Sequence, residues 1–127
     1  MKKKSKLIIS VLLALIVIIA FSYFLVLQNN KPGKLDDFAK CLQTQGSTFY
    51  GAFWCTHCKE QKAEFGKSAK YLPYVECSTS DSNGQLPVCT NQKIESYPTW
   101  IFADGTRQSG KISLTELASK TSCELPK

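Results

Sequence analysis

Two cysteines, Cys55 and Cys58, stand two residues apart in the segment FWCTHCKEQ, residues 53–61. This spacing permits a reversible thiol–disulfide switch, half of a zinc site or a structural clip. A zinc site needs four ligands, but eleven residues separate Cys77 from Cys89, and the chain has no second C-x-x-C and no spare histidine. The pattern therefore favours the redox switch, with no metal and no cofactor.

The cysteine pair is predicted at the junction of a strand and a helix. Residues 47–54 form an uncharged aromatic run that is typical of a buried strand, and a helix is predicted from about Thr56 to Ala69. Cys55 would then lie exposed at the helix N-terminus, where unpaired N–H groups and the helix dipole favour a thiolate. Cys58, about one turn further on, would be shielded and would resolve a mixed disulfide. His57 would add positive charge or a hydrogen bond; the alternative is an exposed spacer.

The first part of the chain differs from the rest in charge and hydropathy. Residues 1–6 contain four lysines, and residues 7–27 are 21 positions without a charge. At about 1.5 Å per residue this run is about 31 Å long, which is enough to cross a bilayer core of about 30 Å. A cleavable signal peptide, the alternative, has a shorter apolar region and a small-x-small cleavage site, for which this sequence offers no good match.

We therefore predict a cytoplasmic basic tail over residues 1–6, a transmembrane anchor over 7–27, a linker over 28–34 and a folded domain over 35–127. The positive-inside rule places that domain outside the cytoplasm, on a single-pass protein of the cell membrane. The net charge of +6 does not indicate nucleic-acid binding, because five lysines precede residue 34 and the predicted domain carries only about +1.

Four further cysteines lie in the predicted extracytoplasmic domain. An even number of cysteines outside the cytoplasm is expected to form disulfides. Cys77 and Cys89 flank a polar loop and are predicted to pair, which would stabilise the fold by about 3 kcal/mol. Cys41 and Cys123 lie near the two ends of the folded region and are paired by default. The alternative is that some of the four are free buried thiols.

The predicted order of elements is helix, strand, helix, strand, helix, strand, strand and helix. Strands joined through a helix should be parallel, and the last two strands form an antiparallel hairpin. The fold class is therefore α/β, with about four strands and helices on both faces. The remaining predicted elements are a helix over 35–46, a strand over 74–77, a short helix or turn over 85–92, a hairpin over 98–110 and a closing helix over 113–121 with a capping box of Ser113 and Glu116.

A second motif lies about 40 residues after the cysteine pair, where Tyr97, Pro98 and Thr99 precede a predicted strand. An aromatic residue before proline raises the chance of a cis peptide bond. Together with the strand–WCxxC–helix unit, this segment resembles the thioredoxin fold. The segments YGAFWCTHCKEQKAEFG, YVEC, IESYPTWIFADG and SLTELA are most similar to the thioredoxin-like domain associated with bacterial vitamin K epoxide reductase homologues, over about residues 35–123.

The resemblance implies a thiol–disulfide oxidoreductase with Cys55 as the nucleophile, Cys58 as the resolving thiol and Pro98 as a cis-proline facing them. Substrate would contact Trp54, Thr56 and Tyr97, and the Tyr97 backbone would pair with it as an added strand. The partners would be the thiols and disulfides of exported proteins, together with a quinone-linked vitamin K epoxide reductase homologue that reoxidises the pair.

Two positions depart from the pattern of the resemblance. Thr56 stands where many relatives have proline, which is pre-organised at the first helical position, so Thr56 would loosen the loop. Phe49 stands where thioredoxins have a buried acid, which leaves the proton acceptor for Cys58 unassigned. We predict that the protein promotes disulfide formation. The alternatives are an extracytoplasmic reductase and a redox-silent thioredoxin-like binding module.

Overall fold

The computed structural model describes residues 2–127, with side-chain surroundings from residue 4 onward. The chain forms two compact units, which divide between Lys31 and Pro32. In the first unit, helix α1 spans Lys2–Asn29. Its segment Lys4–Asn29 is long and apolar enough to cross a membrane, a property that a secretory signal shares.

The second unit is built on a four-stranded mixed sheet. Its strands are β1 (Thr48–Gly51), β2 (Tyr74–Glu76), β3 (Thr99–Ile101) and β4 (Arg107–Ser109), in the spatial order β2-β1-β3-β4. Strands β1 and β2 are parallel, whereas β3 is antiparallel to both β1 and β4. The predicted α/β fold with four strands is confirmed.

Four α-helices and one 3-10 helix complete the second unit. They are α2 (Asp36–Thr44), α3 (Thr56–Phe65), a 3-10 helix (Gly66–Tyr71), α4 (Pro87–Asn91) and α5 (Leu114–Thr121). Helix α3 is shorter than predicted because Gly66 takes a left-handed φ of 52°, after which the chain tightens into the 3-10 turn. The predicted strand over 47–54 ends early at Gly51, since the Cys55 N–H bonds to the Ala52 carbonyl in a turn.

The start of α5 contains half of the predicted capping box. The Ser113 hydroxyl accepts the Glu116 N–H at 3.2 Å, as a capping residue does. The Glu116 carboxylate accepts a hydrogen bond from the Gln108 amide at 2.7 Å. This contact ties α5 to β4.

Alternate residues of β1 pack into two hydrophobic clusters, as the two-residue period of a strand requires. Phe49 stacks on Trp100 with ring centroids 4.8 Å apart, in the larger cluster. Tyr50 belongs to the smaller cluster, which contains Cys77, Cys89 and Ile94. The larger cluster takes buried side chains from three helices: Phe38, Ala39 and Leu42 of α2, Cys58 and Phe65 of α3, and Leu117 of α5.

Two disulfides join segments of the second unit. Cys41 of α2 bonds to Cys123, which follows α5, across 82 positions of sequence. Cys77, directly after β2, bonds to Cys89 of α4 across 12 positions. The two remaining cysteines, Cys55 and Cys58, are free thiols.

Candidate active site

The two free thiols meet at the start of α3. Cys55 is the N-cap residue, and its sulfur accepts the Cys58 backbone N–H at 3.2 Å. The Cys58 thiol also donates to the Cys55 sulfur, with 2.7 Å between the two sulfur atoms. Both hydrogen bonds converge on Cys55, so the arrangement stabilises negative charge on that sulfur.

Both sulfur-bearing residues are largely buried, so the prediction of an exposed Cys55 is wrong. Cys55 is 6 % exposed and Cys58 is 1 % exposed, and both belong to the larger hydrophobic cluster. The exposed residues of the loop are Thr56 and His57. A sulfur that attacks Cys55 must therefore approach it at the edge of the core.

Burial raises the pKa of Cys58 to about 12, and the hydrogen bond to Cys55 adds to this effect. A hydrogen bond with the backbone of Ala52 and the positive charge of Lys62 act in the opposite direction. Cys58 is consequently a neutral thiol at physiological pH. Once it is formed as a leaving thiolate, it captures a proton readily.

A charged network that sequence reasoning missed lies beside Cys58. The Lys62 ammonium lies 3.1 Å from the centroid of the Tyr74 ring, and the Tyr74 hydroxyl donates to Glu76 Oε2 at 2.7 Å. Burial lowers the pKa of Lys62, while Glu76 and Cys58 raise it. Burial and the hydrogen bond to Glu76 raise the pKa of Tyr74 above its ordinary value.

Gly51 shows how closely Tyr74 approaches the resolving thiol. A Cβ at this position would lie 2.8 Å from Tyr74 Cε2 and 2.9 Å from Cys58 Sγ. Phe49 occupies the position of the buried acid of thioredoxins and is itself fully buried. Its ring meets the Tyr74 ring edge-on, with centroids 5.2 Å apart. The charges next to Cys58 therefore come from α3 and β2, not from β1. Lys62 follows Cys58 by four residues, so the two side chains lie on the same face of a helix. This spacing was the sequence signal that could have identified the lysine.

His57 has a different partner from the one expected. Its Nδ1 lies 3.2 Å from Glu60 Oε2 on the exposed side of α3. The hydrogen bonds to the Cys55 sulfur come from Cys58. Any effect of His57 on Cys55 therefore acts through space, in competition with Glu60 and solvent.

Two of the residues predicted to contact substrate, Trp54 and Tyr97, meet next to the cysteine pair. The Tyr97–Pro98 peptide bond is cis, and Pro98 is fully buried. The Trp54 ring is 47 % exposed and meets the Tyr97 ring edge-on, with centroids 5.9 Å apart. This contact joins the residue before Cys55 to the residue before Pro98. Thr56 occupies the first position of α3.

The described part of the chain contains no group of three or more histidine, cysteine, aspartate or glutamate residues that could hold a metal ion. The chemistry that these side chains offer is exchange between thiols and a disulfide.

Residues 36–122 match the thioredoxin family. A thiol-disulfide oxidoreductase of Arabidopsis thaliana, LTO1, is 46 % identical over 91 residues, which cover 68 % of this chain and 24 % of the relative. The chain thus spans about a quarter of the length of that relative.

Proposed function

This chain belongs to the thioredoxin family, and we propose that it is a thiol–disulfide oxidoreductase that forms disulfides in exported proteins. The observation that carries the proposal is the asymmetry of the cysteine pair. Cys55 accepts two hydrogen bonds at a helix N-terminus, whereas burial keeps Cys58 protonated.

The reaction begins with Cys55 and Cys58 joined as a disulfide. A substrate thiolate attacks the Cys55 sulfur, the bond between the two cysteines breaks, and Cys58 leaves and takes up a proton. A second substrate thiolate then attacks the substrate sulfur of the mixed disulfide, which releases Cys55 as a thiolate. Two electrons pass from the substrate to the enzyme, and the substrate gains one disulfide.

The surroundings of Cys55 favour this direction of electron flow. Hydrogen bonds and the N-terminal dipole of α3 stabilise the Cys55 thiolate, and a stabilised thiolate makes the disulfide a stronger oxidant. Phe49 stands where thioredoxins have a buried acid, so the negative charge of that acid, which would oppose the thiolate, is absent from this position. The alternatives are a reductase and a binding module in which the cysteine pair is inert.

The reduction potential of the Cys55–Cys58 pair tests the direction. We expect a value of roughly −130 to −220 mV when the full chain, solubilised in detergent, is equilibrated in glutathione redox buffers. A value below about −260 mV would favour the reductase. No turnover of reduced, unfolded substrate protein or of insulin, with Cys55 intact, would favour the binding module.

We further propose that α1 anchors the protein in the cell membrane with its catalytic unit outside the cytoplasm. The support is the apolar length of α1 and the lysines that precede the apolar run. The test adds protease to cells that have lost their outer barriers but keep an intact cell membrane. The protease should digest residues 34–127. Digestion only from the cytoplasmic side would reverse the orientation.

The proposed partner is a quinone-linked vitamin K epoxide reductase homologue, supported by the resemblance of the cysteine and YPT segments. In membranes that contain such an enzyme and quinone, the reduced pair should be reoxidised within the time of substrate turnover. Reoxidation at the same rate without the enzyme would exclude this partner.

A further inference from the structure

Two residues of one loop hold the rings of Trp54 and Tyr97. Trp54 Nε1 donates to the Ser78 hydroxyl at 2.8 Å, and the Gln85 side-chain amide donates to the Tyr97 hydroxyl at 2.5 Å. Ser78 and Gln85 are themselves paired as an antiparallel bridge, while the two rings contact each other edge-on. The four residues form a closed cycle of contacts, which we name the aromatic cycle.

Other hydrogen bonds hold Ser78 and Gln85 in place. The Ser78 N–H donates to Glu76 Oε1 at 2.9 Å, and the residue is only 5 % exposed. The Gln85 amide also donates to the Ile94 carbonyl at 2.8 Å, and its oxygen accepts the Thr90 hydroxyl at 3.1 Å. Because both ends of the Gln85 amide are engaged, its orientation is fixed.

The Cys77–Cys89 disulfide closes the same loop covalently. The Leu86 N–H donates to the Cys77 carbonyl at 2.7 Å, and the Thr79 N–H donates to the Gly84 carbonyl at 3.0 Å. These bonds lie on either side of the bridge between Ser78 and Gln85. The disulfide and these hydrogen bonds therefore hold the loop, and with it the two residues that bind the aromatic rings, in one conformation.

We propose that Ser78 and Gln85 are positioning residues that orient Trp54 and Tyr97 to favour an extended polypeptide over a small thiol as the substrate of Cys55. The inference rests on the proposed function. A polypeptide that pairs with the backbone at Tyr97 would pass both rings, because the Trp54 ring, next to Cys55 in the chain, contacts the Tyr97 ring. A small dithiol can react with Cys55 without using either ring.

The test compares two substrates in single-turnover reactions with excess substrate, which start from the full chain solubilised in detergent with Cys55 and Cys58 joined as a disulfide, so that this disulfide is the oxidant. One is a reduced peptide with two cysteines, and the other is dithiothreitol, which has no peptide backbone. In Ser78→Ala and in Gln85→Met we expect KM for the peptide to rise about fivefold, as for one lost hydrogen bond. The peptide kcat and the dithiothreitol rate should each stay within about twofold of the unsubstituted values, and the equilibrium constant for exchange of the Cys55–Cys58 disulfide with glutathione should do the same.

Two further variants separate positioning from general loosening of the loop. Asn83→Ala changes the exposed tip of the loop, where the side chain contacts Asp81, and should leave both substrates unaffected. Ser78→Thr keeps the hydroxyl and should restore peptide KM. Tyr97→Phe removes the other partner of the Gln85 bond, so the double variant with Gln85→Met should be no worse than Gln85→Met alone.

Equal losses with both substrates, additive effects in the Tyr97 and Gln85 pair, or an unchanged peptide KM would each overturn the positioning role. Failure of the proposed function gives a different result: the unsubstituted protein would then fail to oxidise the peptide, whatever its rate with dithiothreitol, and the inference would fall with it.

Discussion

The CTHC loop and the loop closed by Cys77 and Cys89 each bring two buried sulfur atoms together, but different groups face the sulfurs. In the first loop, N–H and S–H donors point at Cys55 at the start of the ten-residue α3. In the second, the Cys77 and Cys89 sulfurs lie 3.9 Å from the backbone carbonyl oxygens of Val75 and Glu76, respectively.

This difference explains how one domain contains both a reactive pair and an inert pair. Donors and a helix N-terminus stabilise a thiolate, which is the species that exchanges disulfides. Carbonyl oxygens and complete burial disfavour a thiolate, so a bond there resists exchange. Spacing in the sequence separates the two pairs, but the groups that surround each sulfur determine how reactive it is.

The largest expected effect comes from removing one sulfur of the reactive pair. Cys58→Ala leaves a nucleophile without a resolving thiol, so turnover should fall to background and mixed disulfides with substrates should accumulate through Cys55. Non-reducing gels followed by peptide mapping would identify them. Cys55→Ala is the matched control and should trap no partner. Trapping by Cys55→Ala alone would exchange the roles of the two cysteines.

Removing the Cys77–Cys89 bond should affect stability more than chemistry. The double variant Cys77→Ala, Cys89→Ala should lower the free energy of unfolding by about 3 kcal/mol in the chain-entropy model. Denaturant unfolding under conditions that reduce only the CTHC pair measures the loss.

The matched control is Cys55→Ala with Cys58→Ala, which removes two sulfurs but no structural bond. It should change the free energy of unfolding by less than about 1 kcal/mol in the same experiment. If the two double variants were equally destabilised, the contrast between a structural and a reactive pair would be wrong.

The sequence predicted the elements well where local patterns decide them. The aromatic run before Cys55 and the helix after it place that cysteine at an N-terminus, and the order of elements along the chain predicted the parallel pair β1–β2 and the antiparallel pair β3–β4. The burial of Cys55 and the Lys62–Tyr74 contact depend on how α3 packs against β2. Such long-range packing leaves no periodic signal in a single sequence.

The reactive loop should also respond to Lys62, whose positive charge lies beside Cys58. Because burial raises the pKa of Cys58, its attack on a Cys55 mixed disulfide should still accelerate with pH beyond about 9.5, one unit above the ordinary cysteine pKa of about 8.5, where an ordinary thiol is close to its plateau. Lys62→Met removes a charge that favours the Cys58 thiolate, so this step should slow about threefold at a given pH.

Stopped-flow release of an aromatic thiol from the Cys55 mixed disulfide measures that step. Lys59→Met removes the same charge from an exposed position on the same helix and should have less effect. Lys62→Arg should restore the rate. A plateau near the ordinary cysteine pKa would show that Cys58 is not buried during the reaction, and equal effects of the two methionine variants would deny Lys62 a specific role.

The smallest expected effect belongs to His57. Its ring pairs with Glu60 on the exposed side of α3, so solvent and the glutamate both weaken its field at Cys55. His57→Ala should still make the reduction potential more negative, because it removes a group that favours the thiolate, but only by about 10–20 mV. Equilibration with glutathione measures the change, and Glu60→Gln, which releases His57 from its partner, should move the potential in the opposite direction. No change in either variant would make His57 an exposed spacer, whereas a change above about 60 mV would mean that the imidazole reaches the Cys55 sulfur in solution.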